Sequence, residues 1–180
     1  MVRTGARLRR IAATVGALTV VLALTIPALR GAAASTGDEN RLRLLDVDGT
    51  DTYVDLGAPG LSQGDLDTFH FEVYDSSDTR HLGYEDSQCA VGFVDQQNQT
   101  FTFDCSSDFV LPGGQIATVG HVDPSFSIAQ HRHLLGAMRG NLQEHFAITG
   151  GTGRYRGVSG QLDWGGNDPK GTILLFRFDD

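Results

Sequence analysis

The chain is expected to be all-β, with antiparallel strands forming a sandwich or a small barrel. After residue 34 the sequence breaks into short runs of alternating apolar and polar residues, separated by Gly, Pro, Asp and Asn. No window there carries sustained apolar periodicity of about 3.6 residues, so helix content should be low. One stretch, Phe146 to Leu162, reads as strand, glycine-rich connection, strand. Strands at that density, with that turn punctuation, belong to sandwiches and barrels.

The first residues are set apart from the fold. Arg3, Arg7, Arg9 and Arg10 form a basic leader, and Ile11 to Ile26 is an uncharged apolar run of 16 residues. That is shorter than the ~20 residues a bilayer-spanning helix needs. Pro27 ends the run, and Ala32-Ala33-Ala34 offers a small-residue cleavage site before Ser35. We read residues 1–34 as a secretory signal peptide, the competing reading being an uncleaved anchor. Arg9-Arg10 hints at twin-arginine export, but the residues that follow fit it poorly. Cleavage would leave a polar leader, 35–40, and one domain, 41–180. All 22 acidic residues lie beyond Ser35 while five of the 14 basic ones precede it, so the mature chain would hold 9 basic against 22 acidic residues, a net −13 with histidines neutral. Such a surface repels nucleic acid and anionic lipid. Neither is expected as a partner, and no membrane association is expected after cleavage. The expected location is extracellular.

Candidate strands follow in order: 41–47, 52–55, 68–74, 82–94, 99–110, 114–122, 125–133, 142–149, 158–164 and 172–178. The runs from Cys89 to Val94 and from Thr100 to Cys105 both alternate, with polar Asp95 to Gln99 between them. Folded as a hairpin about Gln97, they place Cys89 opposite Cys105, Val91 opposite Phe103 and Phe93 opposite Phe101, all on one face. Two cysteines in an exported chain then predict a disulfide, against the alternative of a free Cys89. Asn98-Gln99-Thr100 at the hairpin tip matches a glycosylation sequon. Phe69, Phe71 and Val73 share a face, as do Leu174, Phe176 and Phe178.

The stretch Phe146-Ala-Ile-Thr-Gly-Gly-Thr-Gly-Arg-Tyr-Arg-Gly-Val-Ser-Gly-Gln-Leu162 is the most specific signal. No helix pattern follows its glycines and their spacing does not suit a phosphate loop, so nucleotide binding is not implied. Gly150, Gly151 and Gly153 suit a tight corner with positive φ, and Gly157 and Gly160 suit strand kinks. This stretch resembles the signature hairpin of the allene oxide cyclase and dirigent superfamily. Gly64-Asp65-Leu66, Phe69, Val73-Tyr74, Gly83 and Cys89 match the cyclase branch, and Leu174 to Phe178 its last strand, so the resemblance spans 41–180. It implies an eight-stranded antiparallel, calycin-like β-barrel, commonly trimeric, that encloses a hydrophobic or phenolic small molecule. It implies an isomerase or cyclase that works mainly by positioning. The alternative is a binding barrel without turnover.

The residues leave open whether the barrel is filled or hollow; the resemblance implies a hollow one. Its pocket would be lined by Leu44, Phe69, Phe71, Val91, Phe93, Phe101, Phe103 and Phe176. In the cyclase branch a first-strand carboxylate, an asparagine-held water and a cysteine carry the chemistry. The carboxylate matches Asp46, which shares a face with Leu42 and Leu44, where desolvation would raise its pKa and make it an acid or base. The asparagine position is Phe71, which cannot hold a water, and the cysteine is Cys89, consumed by a disulfide. The scaffold is therefore expected to carry a different pocket. His131 and His133, near Glu144-His145, fix no third ligand by spacing, so no metal site is expected. Tyr74, Tyr84 and Tyr155 offer hydroxyls. No motif calls for a cofactor, and no G-x-S-x-G, H-E-x-x-H or zinc pattern is present.

Overall fold

The computed structural model describes residues 40–129, 143–166 and 168–180, with backbone alone at 123–126. The expected signal peptide and the His131/His133 pair lie outside the described residues. Every described residue falls in one compact unit, Gly31–Asp180.

The eight strands are β1 (Arg41–Val54), β2 (Leu66–Asp75), β3 (His81–Asp95), β4 (Thr100–Leu111), β5 (Gly114–Ser127), β6 (Gln143–Gly151), β7 (Gly160–Gly165) and β8 (Thr172–Phe178). Each pairs antiparallel with the next, and β1 pairs with β8, so the barrel closes. The period-2 pattern sets the inside. On β2, Asp67, Phe69, Phe71 and Val73 are buried while Thr68, His70 and Glu72 face out. Among the described residues no helix is long and apolar enough to cross a membrane.

Ten expected strands become eight because bulges bend strands without ending them. The runs 41–47 and 52–55 are both β1, irregular between Val47 and Thr50, where Asp48 has φ 52°. Gly49 there lets the Phe71 ring approach, since a methyl group at Gly49 would lie 2.3 Å from it. Likewise 114–122 and 125–127 are one strand whose register with β4 shifts near Asp123-Pro124. Proline cannot donate to a ladder and is tolerated at such irregularities. Bulges of this kind supply the bending a small barrel needs.

The β3–β4 hairpin carries the clearest correction. Cys89 stands opposite Cys105 and Val91 opposite Phe103, and the two cysteines form a disulfide, leaving no free thiol. Beyond Val91 a bulge at Gly92 moves the register by one, so Phe93 faces Thr102 and Val94 faces Phe101. A one-residue shift reverses the faces. Phe93 therefore points outward, 58% exposed, away from the lumen cavity.

The glycine-rich stretch also departs from a simple hairpin. β6 and β7 are joined by residues 152–159, which include a single 3-10 turn at Gly153–Tyr155. This loop folds back on the β4–β5 turn: Thr152 N–H donates to Gln115 O at 2.9 Å and Arg154 N–H to Gly113 O at 2.8 Å. A methyl group at Gly153 would lie 2.0 Å from Gly113 O, so two backbones touch where only glycine fits. Tyr155 is buried in the core cluster as a result.

Candidate active site in the barrel lumen

The lumen is apolar for most of its surface, with a polar patch contributed by four strands. Asp46 on β1 is 2% exposed and Glu85 on β3 is 3% exposed. Asp46 faces inward because it alternates with Leu42 and Leu44, in register with Val73 of β2 and Thr172 of β8. Glu85 faces inward because it alternates with Ser87, Cys89 and Val91. The Ser87 hydroxyl donates to the Glu85 carboxylate, and Ser87 and Ser107 share a hydrogen bond of 2.6 Å. Ser107 in turn stands opposite buried Thr118 on β5.

Burial pushes the Asp46 carboxyl well above the usual carboxylate range, the Glu85 carboxylate beside it adds to the rise, and the Trp164 indole opposes it. Neither Asp46 oxygen has a hydrogen bond of standard geometry, nor does Glu85 Oε2. The indole and the Glu85 carboxyl nonetheless stand near enough to act on the titration of Asp46. A buried carboxyl that holds its proton more tightly than usual, beside a second carboxyl, is an arrangement suited to acid and base work.

A cavity of about 20 Å³ adjoins this patch, room for about one water. Phe69, Phe71, Glu85, Ser87, Phe146 and Trp164 contribute to its wall, together with the disulfide. Of the expected pocket residues, Phe69 and Phe71 line the cavity. Leu44, Val91, Phe101, Phe103 and Phe176 are buried in the surrounding core, and Phe93 is outside. Asp46 sits behind the wall, so the carboxyl that fronts the cavity is that of Glu85. Sequence reasoning missed Glu85, although its parity with Cys89 and Val91 marks it as inward. It also missed Trp164, the single tryptophan of the chain, which presses edge-on against Phe146 at 6.4 Å.

The remaining candidates lie elsewhere. His70, His81, His121 and His145 are on the outer surface, each hydrogen-bonded to a carboxylate, and no metal-holding cluster occurs among the described residues. Tyr84 is exposed and lies tilted against the His70 ring, Tyr74 packs edge-on against His81, and Tyr155 is in the core. A larger outer groove of about 460 Å³ crosses the outer faces of β1 to β4 and is lined by Thr50, Thr52, Thr68 and Gln88 among others; the buried carboxyl pair is not part of it.

These features define a class: a closed eight-stranded antiparallel barrel with an acid-bearing lumen. The chain belongs to the family described as the allene oxide cyclase barrel like domain, whose profile matches residues 45–175. No curated protein matches it. Among solved structures it is similar to one described as pyocyanin demethylase, at TM-score 0.58 and 23% identity over 77% of this chain and 99% of that one. It is similar to the Diels Alderase AbmU from Streptomyces koyangensis, at TM-score 0.54 and 16% identity over 80% and 71%. A third is described as a nonspecific heme-binding cyclase that catalyses a cycloaddition during neoabyssomicin biosynthesis, at TM-score 0.55 and 18% identity over 79% and 66%. These likenesses establish the barrel.

Proposed function

We propose that this chain is an exported barrel that takes a small, flat, hydrophobic molecule into its lumen and guides its isomerisation or cyclisation. In this reading Asp46 and Glu85 form one acid–base unit. Glu85 meets the ligand at the cavity wall, Asp46 behind it keeps a proton in reserve, and Ser87 and Ser107 orient Glu85. The apolar wall positions the ligand and excludes water, which strengthens every charge interaction inside. The observation that carries the reading is the buried pair itself. Two carboxyl groups with orphaned oxygens are costly in a core, and such groups persist where chemistry uses them. Membership of the cyclase-like family, and the demethylase, Diels Alderase and cyclase descriptions of the similar barrels, support a reaction rather than storage. A purely binding barrel would want a lumen without polar groups, and Glu85, Ser87 and Ser107 on the cavity wall argue against it.

Acridine tests the reading, because it is a flat aromatic base whose emission differs between its neutral and protonated forms. At mildly alkaline pH, where free acridine is neutral, acridine bound to the wild-type barrel is expected to quench Trp164 and to emit as the cation. Glu85→Gln should retain the quenching and lose the cationic emission. Neutral emission from acridine bound beside Trp164 in the wild type would refute the acid–base role. Export is checked separately, by whether the protein recovered outside the cell begins at Ser35.

A further inference from the structure

The hydrogen bonds on the polar side of the cavity run in one direction. Ser87 of β3 and Ser107 of β4 are cross-strand partners on the lumen face. Two residues along each strand, Cys89 and Cys105 form the disulfide that ties β3 to β4 at this level. A serine hydroxyl carries a single proton. Ser87 gives its proton to Glu85 Oε1, so the 2.6 Å bond between the two serines is donated by Ser107. The chain therefore runs from Ser107 through Ser87 to Glu85, and both of its ends border the cavity.

Each end has capacity to spare. Having donated, the Ser107 hydroxyl can still accept. Its partner across the ladder on β5 is Thr118, whose buried hydroxyl makes no hydrogen bond of standard geometry among the described residues, so Thr118 does not fill that capacity. At the other end Glu85 Oε1 accepts from Ser87, while the buried Oε2 also lacks such a bond. A protonated carboxyl so placed receives a proton on one oxygen as it releases one from the other. The rest of the cavity wall is apolar, Phe146 and Trp164 included, so a ligand there has one side on which to direct its polar atoms.

We infer that Ser107, Ser87 and Glu85 form a proton relay, and that the substrate is a flat conjugated molecule carrying an acidic X–H group and a basic atom along one edge, which the relay isomerises by moving a proton between them. This rests on the lumen reading proposed above. The X–H proton passes to Ser107 Oγ, the Ser107 proton to Ser87 Oγ, the Ser87 proton to Glu85 Oε1, and the proton on Glu85 Oε2 to the basic atom. The X–H bond breaks, a bond to hydrogen forms at the basic atom, and the π electrons between them shift. The protein ends with the charge it began with, which suits an apolar enclosure where an unpaired charge is costly. Asp46, beside Glu85, is the second holder of the proton that Oε2 releases. After the transfer the chain points from Glu85 to Ser107, and rotation of the three groups resets it.

The probe 7-hydroxyquinoline tests this. Its hydroxyl and ring nitrogen lie along one edge, too far apart to exchange a proton directly, and a hydrogen-bonded chain joining them converts the excited molecule to a tautomer of distinct emission. Bound to the wild-type protein and excited through Trp164, the probe is expected to emit as the tautomer. Ser107→Ala and Ser87→Ala break the chain at different points; each should keep the quenching of Trp164 and lose tautomer emission tenfold or more. Ser107→Thr, which returns the hydroxyl, should restore it. Tautomer emission that persists in the two alanine variants, or that is lost equally in Ser107→Thr, would show that the serines only pack and would overturn the relay. Emission of the unshifted form from probe bound to the wild type overturns it too. In each of these cases the acridine measurement still decides the acid–base role of Glu85 by itself. Failure of both probes to quench Trp164 overturns the lumen reading and the relay with it.

Discussion

At the scale of residues, three buried aspartates pull the stability of this barrel in opposite directions with pH. Burial opposes ionisation of Asp65, but hydrogen bonds from Tyr53 Oη (2.5 Å), Leu56 N (2.9 Å) and Ser62 N (2.6 Å) outweigh it and hold its carboxyl at about 2. Its stabilisation is present above the ordinary carboxylate range and is lost as pH falls towards 2. Burial pushes Asp67 up to about 7, with Asp51 and Asp65 adding to the rise, and burial raises Asp46 as well. For these two the folded state holds protons that the unfolded state has released. Stability therefore falls as pH rises from about 4 through their folded values. The barrel should be most stable between about pH 4 and 5 and weaken towards neutrality. Asp46→Asn should recover stability at pH 7 and flatten that decline, read by chemical denaturation across pH. An unchanged slope would mean that Asp46 ionises freely in the folded state.

At the scale of elements, the glycine-rich loop makes a sharp distinction. Gly153 has φ 58° and touches the Gly113 carbonyl, whereas Gly157 has φ 79° and open space around it. Gly153→Ala should cost at least about 2 kcal/mol, because strain and a backbone clash add. Gly157→Ala should cost about 1 kcal/mol from φ alone. Equal losses in denaturation midpoint would show that the loop does not seat on the β4–β5 turn. Strand existence was legible in the sequence because alternation is strong in β2, β3, β4 and β8. What alternation does not reveal is a bulge. At Gly92 one extra residue turned Phe93 outward, and at Asp48-Gly49 and Asp123-Pro124 turn-forming residues bent strands that seemed to end. The site was half legible for the same reason. Asp46 was readable from its apolar neighbours on one face, whereas Glu85 and Trp164 meet it only through closure of the barrel, which joins strands distant in sequence.

At the scale of the whole molecule, closure produces the chemistry. It brings β1, β3 and β7 around one point, so two carboxyl groups and an indole from distant segments share an enclosure that most of the chain keeps dry. The most direct test of this account is the carbon NMR titration of the Asp46 side-chain carboxyl in the wild-type protein. The account predicts a protonated chemical shift that persists well above the ordinary carboxylate range and titrates lower in Glu85→Gln. Titration of Asp46 near 3.8, the ordinary value for its side chain, with no response to Glu85→Gln, would contradict it.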